Sequence, residues 1–193
     1  MSERVAAIVL AGGRSSRFGR DKLVEPIRGR PMLDHVIDRV RGVSSEIVVV
    51  TAADATVDVR DAEIVHDAHP FDGPLAGLGV GLRAVDDGVE RVIVVGGDMP
   101  TLVPAVLRRL IAALDAADAA VLADAERPRP LPLAMRRAVA AEAVDRLLLD
   151  GERRLRAVLE TLDVAVIPPK AWREEDPIGE SLRDVDTPDD LPR

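Results

Sequence analysis

Residues 5–22 read VAAIVLAGGRSSRFGRDK. Val5 to Leu10 is a short, unbroken apolar run rich in branched side chains, the pattern of a strand buried on both faces. The run breaks at Ala11 into Gly12 and Gly13, and Arg14, Arg17, Arg20 and Lys22 follow closely. Without a Cβ, the two glycines let a ligand approach the backbone N–H groups. Bare amides leading into a helix start form an anion site. Arg17 adds a planar fork of donors and Lys22 a compact mobile charge. Together they suit a triphosphate; the competing reading is a solvated turn with surface arginines. The loop is not a Walker A motif, because no Gly-Lys-Ser/Thr follows. It is not GxGxxG either, because Ala11 stands where the first glycine belongs.

Working outward, apolar runs alternate with amphipathic ones. Strands are expected at Glu46–Val50, Glu63–Val65, Arg91–Val95 (the clearest central strand), Ala119–Ala123 and Val164–Ile167. LPLAM, Leu131–Met135, also reads as a strand, with Pro132 demoting it to an edge or irregular position. Helices are expected from Pro31 at a first helical position through Gly42, from Pro74 through GPLAGLGVGLRAV, and along TLVPAVLRRLIAALDAAD. Two more fall around Ala138–Leu149 and Glu152–Leu162. Pro168–Gly179, with the lone Trp172, reads as a polar loop. TPDDL reads as a short helix with Thr187 as N-cap, Pro188 first and Asp190 three residues after the cap. This alternation implies one α/β domain spanning residues 1–193, with a mostly parallel sheet and helices on both faces. In such sheets ligands bind beyond the carboxyl ends of the strands, where the loops after Leu10 and Val95 fall.

Composition narrows the function. The 193 residues include 47% apolar but only 2% aromatic side chains, so the core is aliphatic and a base-stacking platform is not expected. Lys and Arg number 26 against 34 Asp and Glu, a net charge of −8. That argues against nucleic acid and anionic membrane as partners while leaving room for a small anion at a locally basic spot. The absence of cysteine excludes disulfides, thiolate nucleophiles and Cys-type zinc sites. The opening residues resemble neither a signal peptide nor a membrane span, and a cytoplasmic location is the expectation. The oligomeric state is left open, a monomer included.

Asp98 follows RVIVVGG at the end of the best strand. A carboxylate there is a natural Mg²⁺ ligand, since Mg²⁺ takes one or two carboxylates plus phosphate oxygens and water; capping of the next turn is the alternative. Gly77, Gly79 and Gly81 interrupt a helix at about 1 kcal/mol each. Close packing accounts for Gly79 and Gly81, whereas Gly73 and Pro74 suit ligand contact. Asp184 and Asp186 either complete a metal site with Asp98 or start the TPDDL turn. His35 reads as surface or structural. His66 and His69, on the connection before GPLAG, read as surface or structural groups too, with substrate contact as the alternative.

LAGGRSSRFGRDK resembles the LAGGxSxRMGxDK signature of the molybdenum cofactor guanylyltransferases. HDAHPFDGPLAGLGVGL, VVGGDMP, GERR (Gly151–Arg154) and DVDTPDDL resemble that family's later motifs in the same order. The resemblance implies a three-layer Rossmann-like nucleotidyltransferase fold and a magnesium-dependent transfer of GMP from GTP to molybdopterin carrying molybdenum. It implies catalytic roles for Arg17, Lys22 and Asp98. Nucleotide contacts would come from Leu10, Ala11, Gly12, Gly13, Lys22, Asp67, Gly73, Pro74 and Asp98, and metal ligation from Asp98 and Asp186. Asp184 and Asp186 replace two asparagines of the guanylyl pattern and match the ending of the sister cytidylyltransferases. CTP, or a sugar phosphate acceptor, therefore stays open as an alternative, as does a non-catalytic nucleotide-binding module. Arg127, Arg129, Arg153 and Arg154 read either as basic candidates for holding the anionic acceptor or as solvated surface.

Overall fold

The computed structural model describes residues 4–12, 22–44, 46–53, 55, 57, 59–67 and 73–192. Arg14, Arg17, Arg20, Gly13 and His69 lie outside them. The elements run β1 (Val5–Leu10), β2 (Pro26–Ile27), β3 (Arg30–Pro31), α1 (Met32–Arg41), β4 (Glu46–Ala52), β5 (Glu63–Asp67), α2 (Pro74–Ala84), β6 (Arg91–Gly96), α3 (Pro104–Ala113), β7 (Ala119–Asp124), β8 (Arg127–Arg136), α4 (Arg137–Leu149), β9 (Val164–Ile167) and α5 (Pro169–Trp172), with short 3-10 turns between.

Seven strands form one sheet in the order β5-β4-β1-β6-β8-β7-β9, and β2 and β3 form a separate two-residue hairpin. β5, β4, β1 and β6 are parallel, β8 is antiparallel to both its neighbours, and β9 runs parallel to β7. The sheet is buried on both faces because successive strand residues alternate between two cores. Ala7, Val9, Ile93 and Val95 meet Leu33, Val36 and Val40 of α1 and Leu107 and Leu110 of α3. Ala6, Ile8, Val92 and Val94 meet Leu75 and Leu78 of α2 and Ala140 and Val144 of α4. Three layers and a mostly parallel sheet are as the alternation required. Gly81 and Gly79 have the packing role expected. A Cβ on Gly81 would stand 2.5 Å from Ile8 Cγ2, and one on Gly79 would stand 3.1 Å from Leu148 Cδ1.

Five expectations need correction. Pro31 is the residue before α1, not its first residue. The helix after Thr101 is shorter than TLVPAVLRRLIAALDAAD, because Arg136 from β8 donates to the carbonyls of Leu114 and Ala117 and ends it there. The helix expected at Glu152–Leu162 is a 3-10 helix at Leu155–Glu160, since the Glu152 carboxylate draws the preceding residues into a turn. β8 lies inside the sheet, not at its edge. Leu133–Met135 pair with both β6 and β7, whereas the proline-bearing half pairs with β7 alone beyond a register shift. Pro132 thus falls where the ladder breaks. Finally, Pro168–Gly179 holds α5, and Trp172 is fully buried with its Nε1 donating to Ala123 O at 3.0 Å. TPDDL forms the expected capped turn: Thr187 N–H donates to Asp190 Oδ2 at 2.8 Å.

Candidate active site

Parallel register brings the strand ends to one edge. Leu10 stands opposite Val50 on one side and Gly96 on the other, and Ala52 opposite Asp67. Past β1 the chain stays attached: Ala11 N–H donates to Val50 O at 2.8 Å, and Gly97 N–H donates to Leu10 O at 2.9 Å. Gly97 is tightly packed: a Cβ there would lie 3.0 Å from Leu23 Cδ2 and 3.3 Å from Ala11 Cα. Leu23 belongs to the 3-10 turn Lys22–Val24. The backbone of Lys22 is therefore one residue from a side chain packed at Gly97, on the same edge as Asp98. Gly12 is exposed beside the end of β4, with Thr51 and Ala52 backbone atoms 3.7 Å from its Cβ position.

Asp98 sits in the turn after β6, half-buried. The turn folds back on itself: Gly96 N–H meets Met99 Sδ at 3.4 Å, and a Cβ on Gly96 would collide with Asp98 Oδ1. Asp98 O accepts a hydrogen bond from Val185 N–H at 2.9 Å. That contact carries the exposed Asp184 and Asp186, which flank Val185, to the same turn. Asp186 also joins the capped turn, its N–H 3.2 Å from Asp190 Oδ2. Among the described residues no three His, Asp or Glu side chains gather to hold a metal by themselves. One or two carboxylates at an open strand end suit Mg²⁺, which completes its shell with phosphate oxygens and water.

On the opposite side of the edge, α2 begins at Pro74 with no side-chain cap. Gly73 takes φ +85°, and a Cβ there would be 2.6 Å from Arg153 O; Leu75 N–H donates to the same oxygen at 3.3 Å. The GERR segment is thereby seated on the start of α2. Asp67, half-buried at the end of β5, completes the edge.

Of the expected site residues, Leu10, Ala11, Gly12, Asp67, Gly73, Pro74, Asp98, Asp186 and the backbone of Lys22 converge on this edge; Gly13 and Arg17 lie outside the described residues. Among the basic candidates for an acceptor, Arg153 reaches the edge through its backbone. Arg127 and Arg129 lie on the half of β8 that extends past Val94, the last β6 residue paired with it, and Arg129 is 4.0 Å from Asp124. His66 is on β5 rather than on the connection after it. Its Nδ1 is 2.9 Å from Oγ1 of the fully buried Thr51 and 3.3 Å from Ala52 O. His35 Nε2 bonds Ile27 O at 2.9 Å, a structural role as expected. Thr51 has no place in the motifs read from the sequence, whereas Gly96 and Glu152 fall inside VVGGDMP and GERR without a contact assigned to them. A polar residue ending the apolar run EIVVVT was the signal available for Thr51.

A doubly wound sheet with glycine turns, a helix start without a side-chain cap and carboxylates on its carboxyl edge is the architecture of the nucleotide-binding α/β proteins. The comparisons narrow this. A model of the MobA-like NTP transferase domain matches residues 7–166. A probable molybdenum cofactor guanylyltransferase of Chloroflexus aggregans is 34% identical over 193 residues, covering 97% of this chain and 91% of its own. Its counterpart in Natronomonas pharaonis is 35% identical, covering 100% and 97%. Among solved structures, the molybdopterin-guanine dinucleotide biosynthesis protein A of Archaeoglobus fulgidus superposes with a TM-score of 0.78 at 27% identity, covering 96% and 94%. The 2-C-methyl-D-erythritol 4-phosphate cytidylyltransferase of Thermus thermophilus shares the fold at TM-score 0.74 and 17% identity. The chain belongs to the MobA-like NTP transferase family.

Proposed function

We propose that this protein transfers GMP from GTP to the terminal phosphate of molybdenum-bearing molybdopterin. The observation that carries the reading is the convergence on one sheet edge of the Leu10–Gly12 segment, the start of α2, and Asp98 with the Asp184–Asp186 segment. An acceptor phosphate oxygen attacks the α-phosphorus of GTP, the bond to the β-phosphate oxygen breaks, and pyrophosphate leaves. The acceptor phosphate is already ionised at neutral pH, so no general base is needed. The chain supplies position and charge. Amides of the Gly12 loop and the start of α2 hold the nucleotide, and Arg17 and Lys22 offset charge on the transferred and departing phosphates. Asp98, with Asp186 beside it, is the carboxylate that would hold Mg²⁺, which when bound neutralises phosphate oxygens.

The DVDTP ending favours a second reading, cytidylyl transfer to the same acceptor. Incubating the protein with Mg²⁺, molybdenum-bearing molybdopterin and each nucleoside triphosphate separates the two. The expected result is pyrophosphate release and a GMP-linked pterin with GTP. Release with CTP alone overturns the choice of base, and release with neither overturns the reaction.

A further inference from the structure

α4 ends in a glycine motif: Gly151 has φ +78°, its N–H donates to Leu148 O at 3.0 Å, and Glu152 N–H donates to Leu147 O at 2.9 Å. This is the paired-bond helix ending that uses a left-handed glycine, and it fixes the start of the next turn relative to α4. The Glu152 carboxylate then organises that turn. Its Oε1 accepts N–H bonds from Arg153 at 2.8 Å and Arg154 at 2.9 Å, and its Oε2 accepts from Arg154 Nη2 at 2.6 Å. The Glu152 side chain is only 21% exposed, whereas that of Arg154 is 74% exposed. The turn so formed presents Arg153 O to Leu75 N–H and packs it against Gly73.

We infer that Glu152 is a positioning residue for the nucleotide: by folding residues 152–154 it sets the Arg153 carbonyl that locates the amino end of α2. The inference rests on the reading of that helix start as part of the nucleotide site. First-turn amides of a helix have no partner within the helix. Their direction is fixed here by a contact from a segment some eighty positions along the chain, and no side chain caps α2. Glu152 touches no reacting atom. Pro74 has no N–H and Leu75 donates to Arg153 O, so the other amides at this helix start would hold the nucleotide, in ground and transition states alike, and loosening them weakens binding uniformly. The consequence falls on KM for GTP more than on kcat.

The test compares Glu152→Ala and Glu152→Gln with the unaltered protein and with Val106→Ala, a core change on the other face of the sheet. Glu152→Ala is expected to raise KM for GTP about tenfold with kcat within about threefold, the size seen when a supporting contact behind a site is lost. Glu152→Gln keeps an acceptor oxygen for the two N–H groups, so it should recover much of the loss. Val106→Ala should lower thermal stability without moving KM. Amide exchange at Leu75 should quicken in Glu152→Ala and stay slow in Val106→Ala. An unchanged Leu75 rate in Glu152→Ala overturns the inference, as does a KM shift matched by Val106→Ala. If the unaltered protein binds no GTP, the functional reading fails, while the Leu75 rate still reports whether Glu152 holds the helix start.

Discussion

Replacing Gly73 by alanine tests the junction between α2 and the GERR turn. Gly73 has φ +85° and ψ 174°, a region essentially confined to glycine. Placing an L residue there costs on the order of 1–3 kcal/mol. The new methyl would also stand 2.6 Å from Arg153 O and 3.1 Å from Arg153 Cβ, so the backbone of the turn has to retreat. Retreat gives up the Leu75 to Arg153 hydrogen bond, about 1 kcal/mol. The sum is about 3 kcal/mol, or a fall in Tm of about 6–12 °C for a domain of this size. Gly151→Ala is the matched control. It has φ +78° but nothing within 4 Å of its Cβ position. Its left-handed penalty of about 1–2 kcal/mol is partly offset by the lower unfolded-state entropy of alanine. Urea denaturation of both variants, with unchanged m-values, gives the difference directly. Gly73→Ala should be the less stable by about 2 kcal/mol, the lost bond and the costlier backbone conformation together. Equal midpoints would refute the seating of Arg153 on α2.

Gly96→Ala should push the Asp98 carboxylate off its place over the turn and lower kcat about a hundredfold, with stability reduced by about 1 kcal/mol. Normal turnover would show that the carboxylate position does not matter. Lys22→Ala should cut pyrophosphate release by about 10²–10³ while leaving the melting curve intact; near-normal release removes Lys22 from the mechanism. Hydrogen bonds from Arg154, first its side chain and then its backbone, together with Arg153 N–H, lower the Glu152 pKa from the ordinary 4.5 to about 2. A depressed carboxylate adds stability that is fully present above its unfolded value and is lost as pH falls from about 4.5 toward 2. Glu152→Gln should therefore flatten part of the acid limb in that window. A limb identical to that of the unaltered protein, by circular dichroism against pH, would contradict the ion pair.

The sheet was legible because β1, β4 and β6 are short apolar runs without a charge inside, and such runs fit only a strand covered on both faces. Their order was not, because register depends on partners far along the chain. Pro132 predicts an edge or an irregular position, and the irregular one is what β8 has, inside the sheet, for a physical reason. The rule that proline avoids inner strands concerns the missing ladder donor, and Pro128, Pro130 and Pro132 lie ahead of the residues that pair with β6. The polar residues around Trp172 predict a loop. The burial of Trp172 comes from the core on the α1 and α3 face of the sheet, to which it belongs, and from the backbone oxygen of Ala123, which takes its N–H. The site loops were legible through glycines and charges. The contacts that assemble them, Asp98 to Val185 and Gly73 to Arg153, join distant segments and leave no local pattern.

Those two contacts bear on how far the functional unit extends. The family match ends at residue 166, yet the following segment is fastened to the turn bearing Asp98 at several points. Thr101 Oγ1 donates to Glu180 O at 3.0 Å, Val103 N–H donates to Ser181 Oγ at 3.1 Å, and Val185 N–H reaches Asp98 O. The buried Asp176 carboxylate takes the N–H groups of Glu180 and Ser181, which fixes that strap before it arrives at the turn. Val185 itself is buried against Ile27 and Met32. A carboxylate that has to keep one orientation toward phosphate oxygens gains from a backbone held on both sides, by β6 before it and by this strap across it. The segment that carries Asp184 and Asp186 is thus held to the turn that carries Asp98, on the edge where the proposed transfer would take place.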